Sequence, residues 1–314
     1  MKKMFWRLER YGLAVLAVMA LLHAASFSSH ASLVGSQDTF ASPGEAVKAV
    51  IIACRKSDIP ALLKIFGSDG KDIVESGDPS DDTDRRATFV QLTSERYKLV
   101  PNPMNPDTMI LSVGIDDYPF PVPLVRKAGR WFFDSAAGRD EILARRIGSD
   151  EMDAIEVCRG YVEAQFEYAQ THMKNGAPVY AQKIVSSPGK EDGLYWEPSK
   201  DAAVCQVPKG FAQAAAGMSL EKREPYRGYY FRILTSQGPA AKGGVVSYVV
   251  NGSLIGGFAL VAWPAEYGVS GVQTLIVNHD GTVYEKHLGP ETGRIAAEMT
   301  EFNPDPSWHP IKSD

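Results

Sequence analysis

Apolar residues recur at helical spacing near the start of the body of the chain and then switch to the tighter alternation of strands. In residues 42–58, "SPGEAVKAVIIACRKSD", positions Ala46, Val47, Val50, Ile51 and Cys54 fall three or four apart. That is the spacing of one buried helix face. Ser42 is an N-cap residue type, Pro43 suits the first helical position, and Glu45 completes a capping box. A second helix carries Ile59, Leu62, Leu63 and Phe66 and stops at Gly67, and a third is predicted over residues 83–95. The runs "YKLVPN", "TMILSVG", "FPVPLVRKAG" and "RWFFDSA" are short, β-rich and punctuated by Pro, Asn and Gly. Three helices followed by three or four antiparallel strands predict an α+β unit over residues 40–137. Trp131, Phe132 and Phe133 are consecutive, so in a strand they face alternate sides and part of the trio is core.

The pattern then restarts. Residues 138–147 predict a short helical connector, charged over 140–146, with a break at Gly148. Ser149 reads as the cap of a long helix with Asp150 and Glu151 in its first turn, where negative charge suits the helix dipole. Its predicted stripe is Met152, Ile155, Cys158, Val162, Phe166 and Ala169, with Tyr161 and Tyr168 widening it. "VYAQKIVSS" predicts a short helix, and an alanine-rich helical turn is expected around residues 211–216. The remainder reads as β: a strand in "YRGYYFRILTS", a hairpin over Asn251-Gly252, a strand in "FALVAWP", and a hairpin turning at Asp280-Gly281. A closing helix is expected over 291–302. The fold class is therefore α+β in two domains, each with helices packed on an antiparallel sheet, the second over residues 149–311.

Composition changes the picture at the N-terminus. Lys2, Lys3, Arg7 and Arg10 precede the apolar run 12–25, "GLAVLAVMALLHAA", and Ser29-His30-Ala31 follows. A basic start, a short apolar core and small-x-small predict an export signal over residues 1–31, cleaved near Ala31. The alternative is an uncleaved anchor. The chain of 314 residues carries a net charge of −5, which becomes −8 once four basic residues and Glu9 leave with residues 1–31. An acidic, exported body disfavours nucleic acid and anionic membrane surfaces as partners. No membrane span is expected in the mature chain, and a periplasmic location follows.

Candidate chemistry is sparse. "GVSG" at residues 268–271 supplies only the first glycine and the serine of a nucleophile elbow, and "QTLIVN" after it reads as a strand where the elbow needs a helix. The stretch is expected to be a sheet corner. "GPAAKGG" lacks the lysine placement and Ser/Thr of a phosphate loop. Asp116 and Asp117 read as a solvated turn, and Asp78, Asp81, Asp82 and Asp84 lack the alternation of a calcium loop. Glu163 and Glu167, one turn apart, have no histidine at ligand spacing. Cys54 and Cys158 lie on apolar helix faces, where a buried free thiol is expected, and a Cys158–Cys205 bridge is the alternative. No metal and no cofactor is expected. Two functional readings stay open. The first is a non-enzymatic binding or interaction module for an envelope protein or small ligand, with Trp196, Tyr229, Tyr230, Trp263 and Tyr267 as candidate contacts, about half of them buried. The second is an enzyme with a dispersed acid–base site joining His279 or His287 to a carboxylate such as Glu266 or Glu285.

Three resemblances complete the reading. "DDYPFPVPLVRKAGRWFFDSAAGRDEILARRIG", "GYYFRILTSQGPAA", "VNGSLIGGFALVAWPAEYGVSGVQTLIVNHDGTVYEKHLGP" and "SWHPI" resemble a family of exported bacterial proteins known as domain of unknown function 2950. It implies export and brings no activity. "SPGEAVKAVIIACRKSDIPALL" with "LVRKAGRWFFDSA" resembles the cystatin-like superfamily, which includes the nuclear-transport-factor-like domains. The order of the second half, from long helix through "GYYF", "FALVAWP" and "LIVNHDG", is similar to the globular heads of pilin-like proteins.

Overall fold

The computed structural model describes residues 37–75, 79–195, 207, 211–212 and 225–312. It is a mixed α+β fold with two compact units, one ending at Ala144 and another beginning at Arg145.

In the first unit, α1 (Pro43–Lys56) starts as its sequence predicts, the Ser42 hydroxyl accepting from the Glu45 amide at 3.2 Å. Glu45 reaches back to the amide of Ala41, not of Ser42, so the reciprocal half of the box is displaced by one residue. α2 (Ile59–Phe66) is capped by Asp58, which accepts from the Ala61 amide at 3.0 Å, and ends at Gly67 with φ 72. A 3-10 turn (Ser68–Gly70) leads to the short α3 (Lys71–Val74), and α4 spans Pro79–Glu95. The strands are β1 (Tyr97–Asn102), β2 (Asn105–Val113), β3 (Tyr118–Pro119), β4 (Leu124–Lys127) and β5 (Arg130–Phe133). They pair antiparallel in the order β1-β2-β4-β5, with β3 on β2. Trp131 and Phe133 are buried and Phe132, between them, is half-buried, as strand alternation requires. The helices and one sheet face close over Val47, Val50, Leu62, Phe66, Leu111 and Leu124.

One helix, α5, runs unbroken over Ser135–Thr171. The predicted connector, the break at Gly148 and the cap at Ser149 are therefore corrected. A mid-helix glycine costs only about 1 kcal/mol relative to alanine, and the arginines and isoleucine before it sustain the helix. Of the predicted stripe, Cys158, Val162 and Ala169 are buried and Met152 and Ile155 half-buried, but the stripe does not take in Phe166. Ala154, Cys158, Tyr161, Gln165 and Tyr168 are buried, whereas Phe166 is 43% exposed. Tyr161 and Tyr168 are thus central to the stripe.

After α5 come β6 (Met173–Lys174) and β7 (Ala177–Pro178), a small hairpin. "VYAQKIVSS" is extended, which corrects the predicted helix: Tyr180 bridges to Leu254 and Val185 to Tyr195. The Gln165 side chain, wholly buried, donates to the Ala181 carbonyl at 2.9 Å and accepts from its amide at 2.8 Å. Those bonds occupy the backbone groups a helix would need. Of the expected helical turn at 211–216, only Phe211 and Ala212 are among the described residues; both are helical and buried.

The main sheet is formed by β8 (Tyr229–Leu234), followed after β9 (Ser236–Gln237), β10 (Val246–Ser247), β11 (Val249–Val250) and β12 (Ser253–Leu254) by β13 (Ala259–Pro264), β14 (Gln273–Asn278) and β15 (Val283–His287). Then come α6 (Thr292–Glu298), β16 (Glu301–Phe302) and β17 (His309–Pro310). The sheet order is β17-β15-β14-β13-β8, antiparallel throughout. The β11–β12 hairpin turns on Asn251 and Gly252 at φ 51 and 73, both left-handed, as a type I′ turn demands. α6 stops short of the predicted end because Glu301–Phe302 pairs in parallel with β9. Arg232 of β8 donates to the carbonyls of Ala296, Ala297 and Met299 and so closes the helix C-terminus.

Alternation gives this sheet two unlike faces. Arg232, Tyr284 and Lys286 point to the α6 side, where Tyr284 meets Phe302 and Lys286 lies over Trp308. Tyr229, Glu285 and His287 point to the α5 side.

Candidate functional site

The corner at residues 264–272 is built by hydrogen bonds from within. Gly268, at φ 78, donates to the Gly271 carbonyl at 2.9 Å, and the Ser270 hydroxyl accepts from the Glu266 amide at 3.1 Å. Ser270 is 4% exposed, and β14 follows it, so the serine is a turn clamp with no route to nucleophilic work. A Cβ on Gly271 would fall on the Tyr229 hydroxyl, and one on Gly228 would lie 2.6 Å from the Asp150 carboxylate. Glycine is required at both by close approach. The corner is fastened to α5 by Glu151, whose Oε1 accepts from the amides of Val272 at 2.8 Å and Gln273 at 3.0 Å. "GPAAKGG" is likewise structural: the Gln237 amide donates to the carbonyls of Lys242 and Gly244, and its oxygen accepts from the Tyr248 hydroxyl.

The aromatic candidates separate by depth. Trp196 lies outside the described residues. Tyr229 is 0% exposed and Trp263 2%, so both are core. Tyr230 is half-buried with its ring 6.0 Å from that of Trp263, and Tyr267 is half-buried. The Tyr267 hydroxyl and His287 Nε2 are 2.6 Å apart, with the rings stacked at 5.5 Å.

The two candidate histidines do not meet. His287 pairs with Gln273 at one end of β14, and His279 follows the other end, roughly 20 Å away at about 3.3 Å per residue. His279 is wedged between Tyr248, Phe258 and Gly257, its Nδ1 buried without a partner among the described residues. Glu266 is exposed and serves the turn through its backbone. Glu285 sits two positions before His287 on the same face of β15, across from His309 on β17. Burial, reinforced by the charge of Glu151, raises the Glu285 pKa. Burial also raises that of Glu151, against its two amide donors and His287.

The opposite face holds an open feature. A shallow cleft of about 290 Å³ is lined by Ile276, Glu298, Met299, Thr300, Glu301, Asn303 and Trp308. Ile276 and Trp308 are buried and form an apolar floor; Glu298, Thr300 and Glu301 are exposed and form a polar rim.

A profile of the family described as "Protein of unknown function (DUF2950)" matches residues 37–311. The chain belongs to that family. No curated protein and no solved structure matches it. What this DUF2950 chain can do chemically therefore rests on its own side chains.

Among the described residues there is no group of three His, Cys, Asp or Glu arranged to hold a metal, and no helix is long and apolar enough to cross a membrane. Neither described cysteine is a ready thiolate. Burial pushes the Cys54 thiol up to about 11 and the wholly buried Cys158 up to about 12. Both are free, and Cys205 lies outside the described residues. In the first unit, Asp117 is ion-paired to Lys98 at 2.7 Å and Arg96 at 2.9 Å, and the Lys98 hydrogen bond leads the causes that lower its pKa. That is a turn pinned by two cations on Asp117. Asp82 and Asp84 lie in the first turns of α4; Asp78 and the side chain of Asp81 lie outside the described residues.

Sequence reasoning missed Glu151 and Trp308. Glu151 was absorbed as a first-turn acid, whereas it stands half-buried in the middle of the unbroken α5. Trp308 stands in "SWHPI" with no periodic pattern around it.

Proposed function

We propose that the chain is an exported envelope protein, periplasmic after cleavage near Ala31, whose second unit is a non-enzymatic binding module for a small ligand. The observation that carries this reading is the cleft on the α6 face, an apolar floor of Ile276, Met299 and Trp308 ringed by polar groups. Its size lies at the lower edge of small-molecule sites, and a few polar groups around an apolar floor are what such sites use. Export is supported by the basic-then-apolar N-terminal sequence. The pilin-head likeness belongs to this second unit, whereas the cystatin-like likeness concerns the first unit, where domains of that kind often hold a small molecule between helices and a curved sheet.

The test is a thermal-melting screen of residues 32–314 against sugars, cell-wall fragments, lipids and divalent metals. A ligand at one hundred times its dissociation constant adds about 2.7 kcal/mol to the native state. At roughly 2–4 °C per kcal/mol the melt rises by several degrees. A saturable rise supports the module; no rise from any class contradicts a small-ligand site.

A second reading, the acid–base enzyme, draws on one observation: His287 and Glu285 share a face of β15 beside the half-buried Glu151. Against it, His287 is engaged by Tyr267, and the cleft lies on the other face of the sheet. If this reading holds, turnover of a substrate is lost in His287→Gln; if the binding reading holds, His287→Gln leaves ligand affinity unchanged.

A further inference from the structure

The place where α5 meets the sheet collects acidic groups that the cleft does not use. Glu151 crosses from α5 to the amides that open β14. Glu285 stands on the neighbouring strand, opposite Leu275 and on the same face as Gln273. The flanking cations are engaged elsewhere: Arg146 lies 3.9 Å from Asp150, and Arg227 lies 3.4 Å from Asp153. On α5 the remaining neighbours are Asp150 itself and the buried Cys158, two turns on, neither of which supplies positive charge. From the sheet, Tyr229 donates to the Gln273 carbonyl and brings no charge. His287 faces Glu151 but is held by Tyr267, and His309 faces Glu285 from β17. Two carboxylates therefore face the same side of the α5–sheet junction, and among the described residues the cationic groups that act on them are imidazoles, His287 on Glu151 and His309 on Glu285.

We propose that Glu151 and Glu285 act as one proton-binding pair, Glu285 taking the proton while Glu151 keeps its two amide donors, so that acid clasps α5 more firmly to the sheet. The assignment within the pair follows from hydrogen bonding. Glu151's charge is stabilised by two N–H groups, and among the described residues no donor is bonded to the Glu285 carboxylate. Like charges at close quarters cannot both ionise freely, so the protons come off in two steps belonging to the pair.

The direction with pH is fixed by linkage. A carboxyl whose folded pKa is raised adds stability below its ordinary value of 4.5 and loses it as pH rises through the folded value. Both glutamates are shifted this way. The clasp is firmest near pH 4.5 and slackens toward neutrality. Asp192 and Asp305 set the lower limit, because hydrogen bonds from Ser187 and Ser307 lower their pKa values and their stabilisation is lost below the ordinary 3.8.

The experiment is a carboxyl-carbon NMR titration of the full chain beside Glu151→Gln and Glu285→Gln. Glutamine at 151 retains the oxygen that accepts from Val272 and Gln273, so the contact survives while its charge is removed. The expected result is a Glu285 midpoint above 4.5, raised first by burial and then by the charge of Glu151, that falls in Glu151→Gln, with the reciprocal fall for Glu151 in Glu285→Gln. A Glu285 midpoint unchanged by Glu151→Gln overturns the pair. Should a variant fail to fold, the native chain still decides. Both resonances must then sense both protonation steps, and a single step at the ordinary value overturns the proposal.

Discussion

The two faces of the second unit's sheet put similar residue types to opposite uses. On the α5 side, glutamates, histidines and tyrosines are tied to one another and to backbone amides: Glu151 to Val272 and Gln273, His287 to Tyr267, Tyr229 to the Gln273 carbonyl. On the α6 side, Glu298, Thr300 and Glu301 stand exposed around a floor of Ile276 and Trp308. Several groups that look reactive in sequence are engaged internally, Tyr267 and His287 with each other and Tyr229 with the Gln273 carbonyl, while the His279 Nδ1 is sealed in the core without a partner among the described residues. The open cleft is lined by residues with no chemical signature. Reactive residue types and an accessible site are separate properties, and here they fall on separate faces.

The largest expected effect probes the core shared by the faces. Trp263→Ala, at a position 2% exposed, is expected to cost about 3–5 kcal/mol in a denaturant melt, whereas Tyr230→Ala costs clearly less because its ring is only half-buried. Gly271→Ala comes next, at about 1–3 kcal/mol, since the new methyl must displace the Tyr229 hydroxyl. Glu285→Gln acts in the other direction and more weakly. After solvent screening of a half-buried group, a gain of ~0.5 kcal/mol is expected at pH 8, vanishing at pH 4, from melts at the two pH values. Smallest is Thr300→Arg on the cleft rim, expected to change stability by no more than ~0.5 kcal/mol while its side chain crosses between Glu298 and Glu301.

The local rules carried much of the fold. Ser42 and the Asn251-Gly252 turn were legible because each acts on neighbours within a few residues. Reading failed where tertiary contacts outweighed local preference. Ser149 and Gly148 look like a helix boundary, yet α5 passes through them. "VYAQKIVSS" looks helical, yet Gln165 holds Ala181 extended. The closing helix was expected to reach 302, yet Phe302 completes a parallel pair with β9. The candidate sites fared similarly. Asp116 and Asp117 were visible because they are adjacent, and their turn is pinned by Lys98 and Arg96. Glu151 and Glu285 come together only through the packing of a helix on a distant hairpin, which no spacing rule encodes. Of the aromatic candidates, strand alternation puts Tyr229 and Tyr230 on opposite faces of β8, but it does not tell which face is covered.

The most direct test of where this protein binds is calorimetric titration of a ligand from the melting screen into the native chain, Thr300→Arg and His287→Gln. At least a tenfold loss of affinity, about 1.4 kcal/mol, is expected in Thr300→Arg and none in His287→Gln. Undiminished binding to Thr300→Arg with loss in His287→Gln would place the site on the α5 face and contradict a ligand site in the cleft.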